Sequence, residues 1–258
     1  MLKGKLFNIF LSPERVAFFQ KICYTFFMPN SMLNLICKYL ASFLAVVVIL
    51  TFHEFAHAFV AVKCGDDTPK FYGRLSLNPL KHFDVAGLIM FTLVGFGWAK
   101  PVPINPGNFN HYRRDSIFVS IAGVCMNLIL AFLFCPLYFL ALRYIPAVDI
   151  NGLQLLVKWL TQLLFVYNLS FFVFNLLPFF PLDGFRVVEA CTKGTNKVYE
   201  FLRNYGQYIL MGLILESFLC QYVSVLAPFD ILGYFMSFAV SIVGAPITAF
   251  WSFIFGLF

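Results

Sequence analysis

Long apolar runs separated by short polar connections dominate the chain. The first, YLASFLAVVVILTFHEFAHAFVAV at 39–62, is flanked by Lys38 and Lys63 as end anchors, and comparable runs follow at 116–142, 155–177, 208–227 and 231–258. Each approaches or exceeds the roughly 20 residues that cross a bilayer as a helix, so five spans are expected, with a sixth possible through 86–98 or the N-terminal segment. Ahead of them, residues 14–28 set Phe18, Phe19, Phe26 and Phe27 among Arg15, Gln20 and Lys21, the pattern of a helix lying along the membrane surface. Pro13, Glu14 and Arg15 interrupt any signal-peptide core. Between the first two core spans the period changes. FYGRLSLNP at 71–79 alternates Tyr72, Arg74 and Ser76 with Phe71, Leu75 and Leu77, a strand pattern, and GLIMFTLVGFGWAKPVPINP at 87–106 supplies a Gly/Pro-punctuated partner. The expected fold is an all-α polytopic membrane protein of five to six transmembrane helices, with a small membrane-associated β-hairpin between the first and second core helices.

Composition agrees. Hydrophobic residues make up 61% and charged residues 12% of the 258, and mean hydropathy is +0.84, whereas a soluble domain carries about 25% charged residues. The net charge of +6 does not point to nucleic acid, because Lys and Arg fall in the connections. Lys70, Arg74, Lys81, Lys100, Arg113 and Arg114 lie in 64–114, and Arg186, Lys193, Lys197 and Arg203 in 185–204, which places both connections in the cytoplasm by the positive-inside rule. The connection 143–158, with only Arg143 and Lys158 near its ends, is expected outside. Seven cysteines, with no close Cys-x-x-Cys pair, read as small hydrophobes.

The first span holds an anomaly, HEFAH at 53–57. An ionisable group such as Asp at the membrane centre costs about 2.5–3.5 kcal/mol on insertion scales, so such groups usually face a polar interior and serve a function. On a helix His53 and His57 project from one face, where both imidazoles can reach one metal ion, and Glu54 stays near the ion's open position. The plainer alternative is a pair of helix-packing histidines. FNLLPFFPLDGFR at 174–186 ends another span, with Pro178 and Pro181 breaking the helix before Asp183 and Gly184. Asp183 is either a third ligand or part of an ordinary Asp-Gly turn.

HEFAH at 53–57 together with NLLPFFPLDG at 175–184 resembles the two signatures of the site-2 protease family of intramembrane zinc metalloproteases, His-Glu-x-x-His and Asn-x-x-Pro-x-x-x-Leu-Asp-Gly. GRLSLNPLKHFDVAG (73–87), GFGWAKPVPINP (95–106) and AGVCMN (122–127) resemble its compact bacterial branch without a PDZ domain, although Val124 stands where the family often has proline. The resemblance implies Zn2+ held by His53, His57 and Asp183, with Glu54 as the catalytic general base. It implies a substrate-binding role for Asn175, whose plainer alternative is hydrogen bonding between helices, and the same pair of readings applies to Asn127. His82 and Asp84 read as loop residues outside the ligand set, and His111 as solvated. The expected activity is hydrolysis of a peptide bond within or near the transmembrane segment of membrane protein substrates, in the bilayer of the bacterial inner membrane, with the active site towards the cytoplasm. The hairpin's exposed edge would receive the unwound substrate as an added strand. A membrane metal-ion transporter is the first alternative, but it would spread ionisable groups along several helices. A non-catalytic membrane scaffold is the second, and it would be expected to lack Glu54 or a ligand. The implied organisation is an N-terminal amphipathic segment (1–38), a catalytic transmembrane core (39–204) and C-terminal transmembrane helices (205–258).

Overall fold

The computed structural model describes residues 32–145, 151–192, 196–223 and 225–256. Among the described residues, four helices are long and apolar enough to cross a membrane: α1 (Met32–Lys63), α4 (Tyr112–Tyr144), α5 (Gly152–Asn175) and α8 (Ile231–Ile254). These match four of the five expected runs, and α1 starts earlier than expected, at Met32. The fifth run belongs to α7 (Lys197–Tyr222), which stops at Tyr222 and carries Gln207, Glu216 and Gln221 among its apolar residues. The expected surface helix at 14–28 lies outside the described residues.

α1, α4 and α5 pack on one another and form the centre of the fold. Small residues on the inner face of α1, Ala41, Ala45, Ala56, Ala58 and Ala61, are buried and let its neighbours approach closely. Ala41, Ala45 and Ile49 meet Trp159, Leu163 and Leu164 of α5. Leu169 and Phe165 of α5 meet Cys135, Tyr138 and Phe139 of α4 and Val240 and Ile247 of α8. α5 opens on a capping box between Asn151 and Gln154. It ends at Asn175, just before Pro178 and Pro181 break the helical path, and α6 (Asp183–Cys191) restarts on the far side of the break.

The expected β-hairpin does not form: among the described residues there is no strand, only an isolated bridge between Phe83 and Ala99. The alternation at 71–77 is overridden by local signals. Pro69 sits in the first turn of the short helix α2 (Thr68–Phe71), and Gly73 takes a left-handed turn at φ 65°. Arg74, one of the polar positions of that alternation, is buried and donates to the carbonyls of Lys81 and Lys100. The partner segment becomes helix α3 (Val85–Val94), because Asp84 caps it by accepting from Gly87 N–H and Gly95 closes it with φ 82°. At 10 residues α3 is about 15 Å long, half of the roughly 30 Å hydrocarbon core, so it cannot cross. Its Leu88 packs on Val46 and Leu50 of α1. After α3, residues 99–105 run without helix along the C-terminal half of α1, with Ala99 beside Val46 and Leu50, Val102 at Glu54 and Ile104 beside Ala61.

Candidate active site

His53, Glu54 and His57 sit on the buried side of α1, with exposures of 5%, 8% and 4%. One turn separates the two histidines, and their rings lie 4.7 Å apart at 78°. The break after α5 brings Asp183 to them at the first turn of α6. His53 Nε2 and His57 Nε2 are 3.1 Å apart, and Asp183 Oδ2 lies 3.2 Å from the first and 3.1 Å from the second. This near-equilateral triangle fits a shared metal ion. Ligands about 2.0–2.1 Å from a tetrahedral zinc stand about 3.3–3.4 Å from one another, and two imidazole nitrogens with facing lone pairs repel unless a cation lies between them.

The far ring nitrogens show that Nε2 is the free side of each histidine. His57 Nδ1 is 2.7 Å from the carbonyl of Val119, an obligate acceptor, so Nδ1 carries the proton. His53 Nδ1 is 2.6 Å from Asn127 Oδ1, and Asn127 Nδ2 donates to Asn168 Oδ1 at 3.0 Å. Such outer partners hold the ring and raise the basicity of the ligating nitrogen. Gly123 of α4 makes room for both rings, since a Cβ there would fall 2.3 Å from His57 Nε2.

A cavity of about 130 Å³ opens beside the triangle, lined by His53, Glu54, His57, Asp183, Asn175 and Arg186 together with Pro101, Val102, Ile104, Pro181 and Leu182. Glu54 Oε2 accepts from Val102 N–H at 3.2 Å, which fixes the carboxylate while leaving Oε1 for a proton. The loop carrying Val102 is anchored at its far end by fully buried Asp66, which accepts from Asn105 N–H (2.7 Å), Asn108 Nδ2 (2.8 Å) and Thr68. Burial pushes the Asp66 carboxyl up, but these hydrogen bonds outweigh it and hold its pKa below the ordinary carboxylate value. Asn175 donates through Nδ2 to Phe171 O at 3.1 Å and keeps its Oδ1 as an acceptor.

The structure therefore brings His53, Glu54, His57, Asp183 and Asn175 to one cavity. Asn127 is not among its lining residues. It is fully buried behind His53, with its amide engaged by that ring and Asn168. His82 is also fully buried, with Nε2 on Ser76 O at 2.7 Å, Asp84 caps α3, and His111 is exposed at the start of α4. Sequence reasoning missed Val102, Gly123, Asn168 and the position of Arg186. Only the Gly in AGVCMN and the Arg after LDG carried any local hint of their part.

The sequence model described as peptidase family M50 matches residues 41–216. The chain is 45% identical over 174 residues to "Putative zinc metalloprotease YwhC" of Bacillus subtilis (strain 168), covering 66% of this chain and 78% of that protein. It is 31% identical over 211 residues to "Putative zinc metalloprotease Rip2" of Mycolicibacterium smegmatis, covering 79% and 77%. A protein of the same name from Mycobacterium tuberculosis (strain ATCC 25618 / H37Rv) is 29% identical over 215 residues, covering 80% and 78%. No solved structure matches the chain.

Proposed function

The chain belongs to peptidase family M50, and we propose that it is a zinc endopeptidase that hydrolyses a peptide bond within or near the transmembrane segment of membrane protein substrates. The observation that carries this reading is the triangle of His53 Nε2, His57 Nε2 and Asp183 Oδ2, with Glu54 on the same cavity. His53, His57 and Asp183 would hold the zinc, and three protein ligands leave a fourth position open, as a hydrolytic site requires. When bound, zinc supplies Lewis acidity, polarising a carbonyl and making water acidic enough to ionise near neutral pH.

The remaining work falls to the chain's own groups. Glu54, braced by Val102 N–H, takes the proton of the attacking water and returns it to the departing amine. Asn175, with Nδ2 committed to Phe171 O, offers Oδ1 to a substrate backbone N–H beside the scissile bond. Arg186, exposed at the rim, offers its guanidinium to a substrate carbonyl. A helical substrate hides its carbonyls in i to i−4 hydrogen bonds, so it must unwind before it enters. The mutual packing of α1, α4 and α5 would keep lipid from the triangle, while the cavity beside 101–104 would admit water and an unwound chain.

We place the protein in the bacterial inner membrane with the cavity towards the cytoplasm, on the strength of the basic residues at 64–114 and 185–204. The catalytic unit is taken to run from 39 to 204, with 205–258 as a C-terminal helical addition. The decisive comparison is wild type against Glu54→Gln, using a model transmembrane peptide in liposomes. Glu54→Gln is expected to retain zinc and substrate crosslinking while cleavage falls by about 10²–10⁴-fold, the contribution of a general base. Cleavage at the wild-type rate by Glu54→Gln would overturn the assignment.

A further inference from the structure

Polar groups are also buried on the side of His53 away from the cavity. Asn127 on α4 and Asn168 on α5 are both fully enclosed, where an unsatisfied amide would cost about 1–3 kcal/mol. They form one chain of hydrogen bonds. Asn168 Nδ2 donates to Leu164 O at 2.6 Å, Asn127 Nδ2 donates to Asn168 Oδ1 at 3.0 Å, and Asn127 Oδ1 faces His53 Nδ1 at 2.6 Å.

The direction of every bond in this chain follows from its far end. A backbone carbonyl only accepts, so Leu164 O requires the amino group of Asn168. Asn168 must then turn Oδ1 to Asn127, and Asn127 must answer with its own amino group. The Asn127 oxygen is left for His53, whose Nδ1 must carry the proton. In the neutral ring, the form that can bind a metal, Nε2 is then the unprotonated nitrogen on the side that faces His57 and Asp183. His57 reaches the same state in a single step through Val119 O. If the Asn127 amide turned over, its NH₂ would face Nδ1, and the proton of His53 would move to Nε2, where the ion would sit.

We propose that Asn168 is a positioning residue that sets the tautomer of His53 by orienting the amide of Asn127. The proposal rests on the zinc reading of the site and deepens it. Asn168 touches neither the cavity nor a ligand, and its effect passes wholly through which end of Asn127 meets the ring.

The test compares the zinc affinity of the full-length protein in detergent, by chelator competition, for wild type, Asn168→Ala and the double variant Asn127→Asp/Asn168→Ala. Asn168→Ala is expected to weaken zinc binding by about 10–100-fold, the range for outer partners of metal-binding histidines. A carboxylate accepts through either oxygen and needs nothing to orient it, so the double variant is expected to recover most of the lost affinity. Nitrogen NMR of the histidine rings should then show His53 protonated at Nδ1. A role for Asn168 in helix packing alone predicts no such rescue. Wild-type affinity in Asn168→Ala, or a double variant no tighter than the single one, would overturn the proposal. If Asn168→Ala loses helical content, Asn168→Leu, close in shape but without either polar atom, takes its place in both single and double forms with the same expectations. Failure of wild type itself to bind zinc would instead overturn the metal reading, so the two failures are distinguishable.

Discussion

Gly123 and His57 are in contact without a side chain between them: a Cβ on Gly123 would stand 2.3 Å from His57 Nε2 and 2.5 Å from His53 Cε1. Helix α4 thus presses its bare backbone against the metal-facing nitrogen of His57 and the Cε1–Nδ1 edge of His53. Replacing Gly123 by alanine must push the imidazoles off the triangle, and a displacement of about 1 Å in such a site can cost about 10²-fold in rate. Gly123→Ala is therefore expected to lose zinc and activity together while keeping the helical content of wild type. Metal analysis beside circular dichroism checks it, and full zinc occupancy in this variant would show that the rings can move aside.

The ligand triangle makes a separate prediction about metal content. Each of His53, His57 and Asp183 supplies one corner, with edges of 3.1–3.2 Å. His57→Ala and Asp183→Ala should each reduce bound zinc well below the one ion per chain expected for wild type, and a strong chelator should abolish cleavage until zinc is returned. Full occupancy in both variants would remove these residues from the ligand set.

Much of this site was legible in the sequence because its chemistry is local. His53, Glu54 and His57 fall on adjacent turns of one helix, and Asn175 and Asp183 flank one short break at 176–182, so spacing alone groups each set. The second tier was not legible. Asn168 meets Asn127 across two helices, and Val102 reaches Glu54 from a loop 48 positions away, contacts that depend on how the helices dock. The four long apolar helices follow directly from hydropathy. The hairpin does not form because Pro69, Gly73, Asp84 and Gly95, whose capping and turn geometry decides the backbone there, override the alternation of Phe71 to Leu77.

Asp66 gives a pH prediction with a definite sign. Its folded pKa is depressed by hydrogen bonds from Thr68, Asn105 and Asn108 that outweigh its burial. A depressed carboxylate contributes stability above its unfolded value of about 3.9, and that contribution is lost as pH falls through the lower folded value. Asp66→Asn should melt below wild type at neutral pH, and the gap should close as the buffer is taken below about pH 4. Melting curves in detergent across that window decide it. A gap independent of pH would mean that ionised Asp66 contributes nothing beyond its shape.

The last prediction concerns how Glu54 is held. Its Oε2 accepts from the backbone N–H of Val102 at 3.2 Å, and the flanking residues at 101 and 103 are already prolines. Val102→Pro removes that one donor while leaving an apolar residue at a buried position of the same extended segment. A hydrogen bond to a charged group contributes about 1.5–3 kcal/mol, so a carboxylate freed of it can leave its working position, and kcat should fall by about tenfold or more. Zinc content should not change, because Glu54 is outside the triangle and His53, His57 and Asp183 keep their contacts. KM should change little if Val102 acts on the base alone, whereas a matching rise in KM would mean that the 101–104 segment also grips the substrate. Steady-state kinetics with metal analysis separates these outcomes, and an unaltered kcat would show that Glu54 reaches its position without the loop.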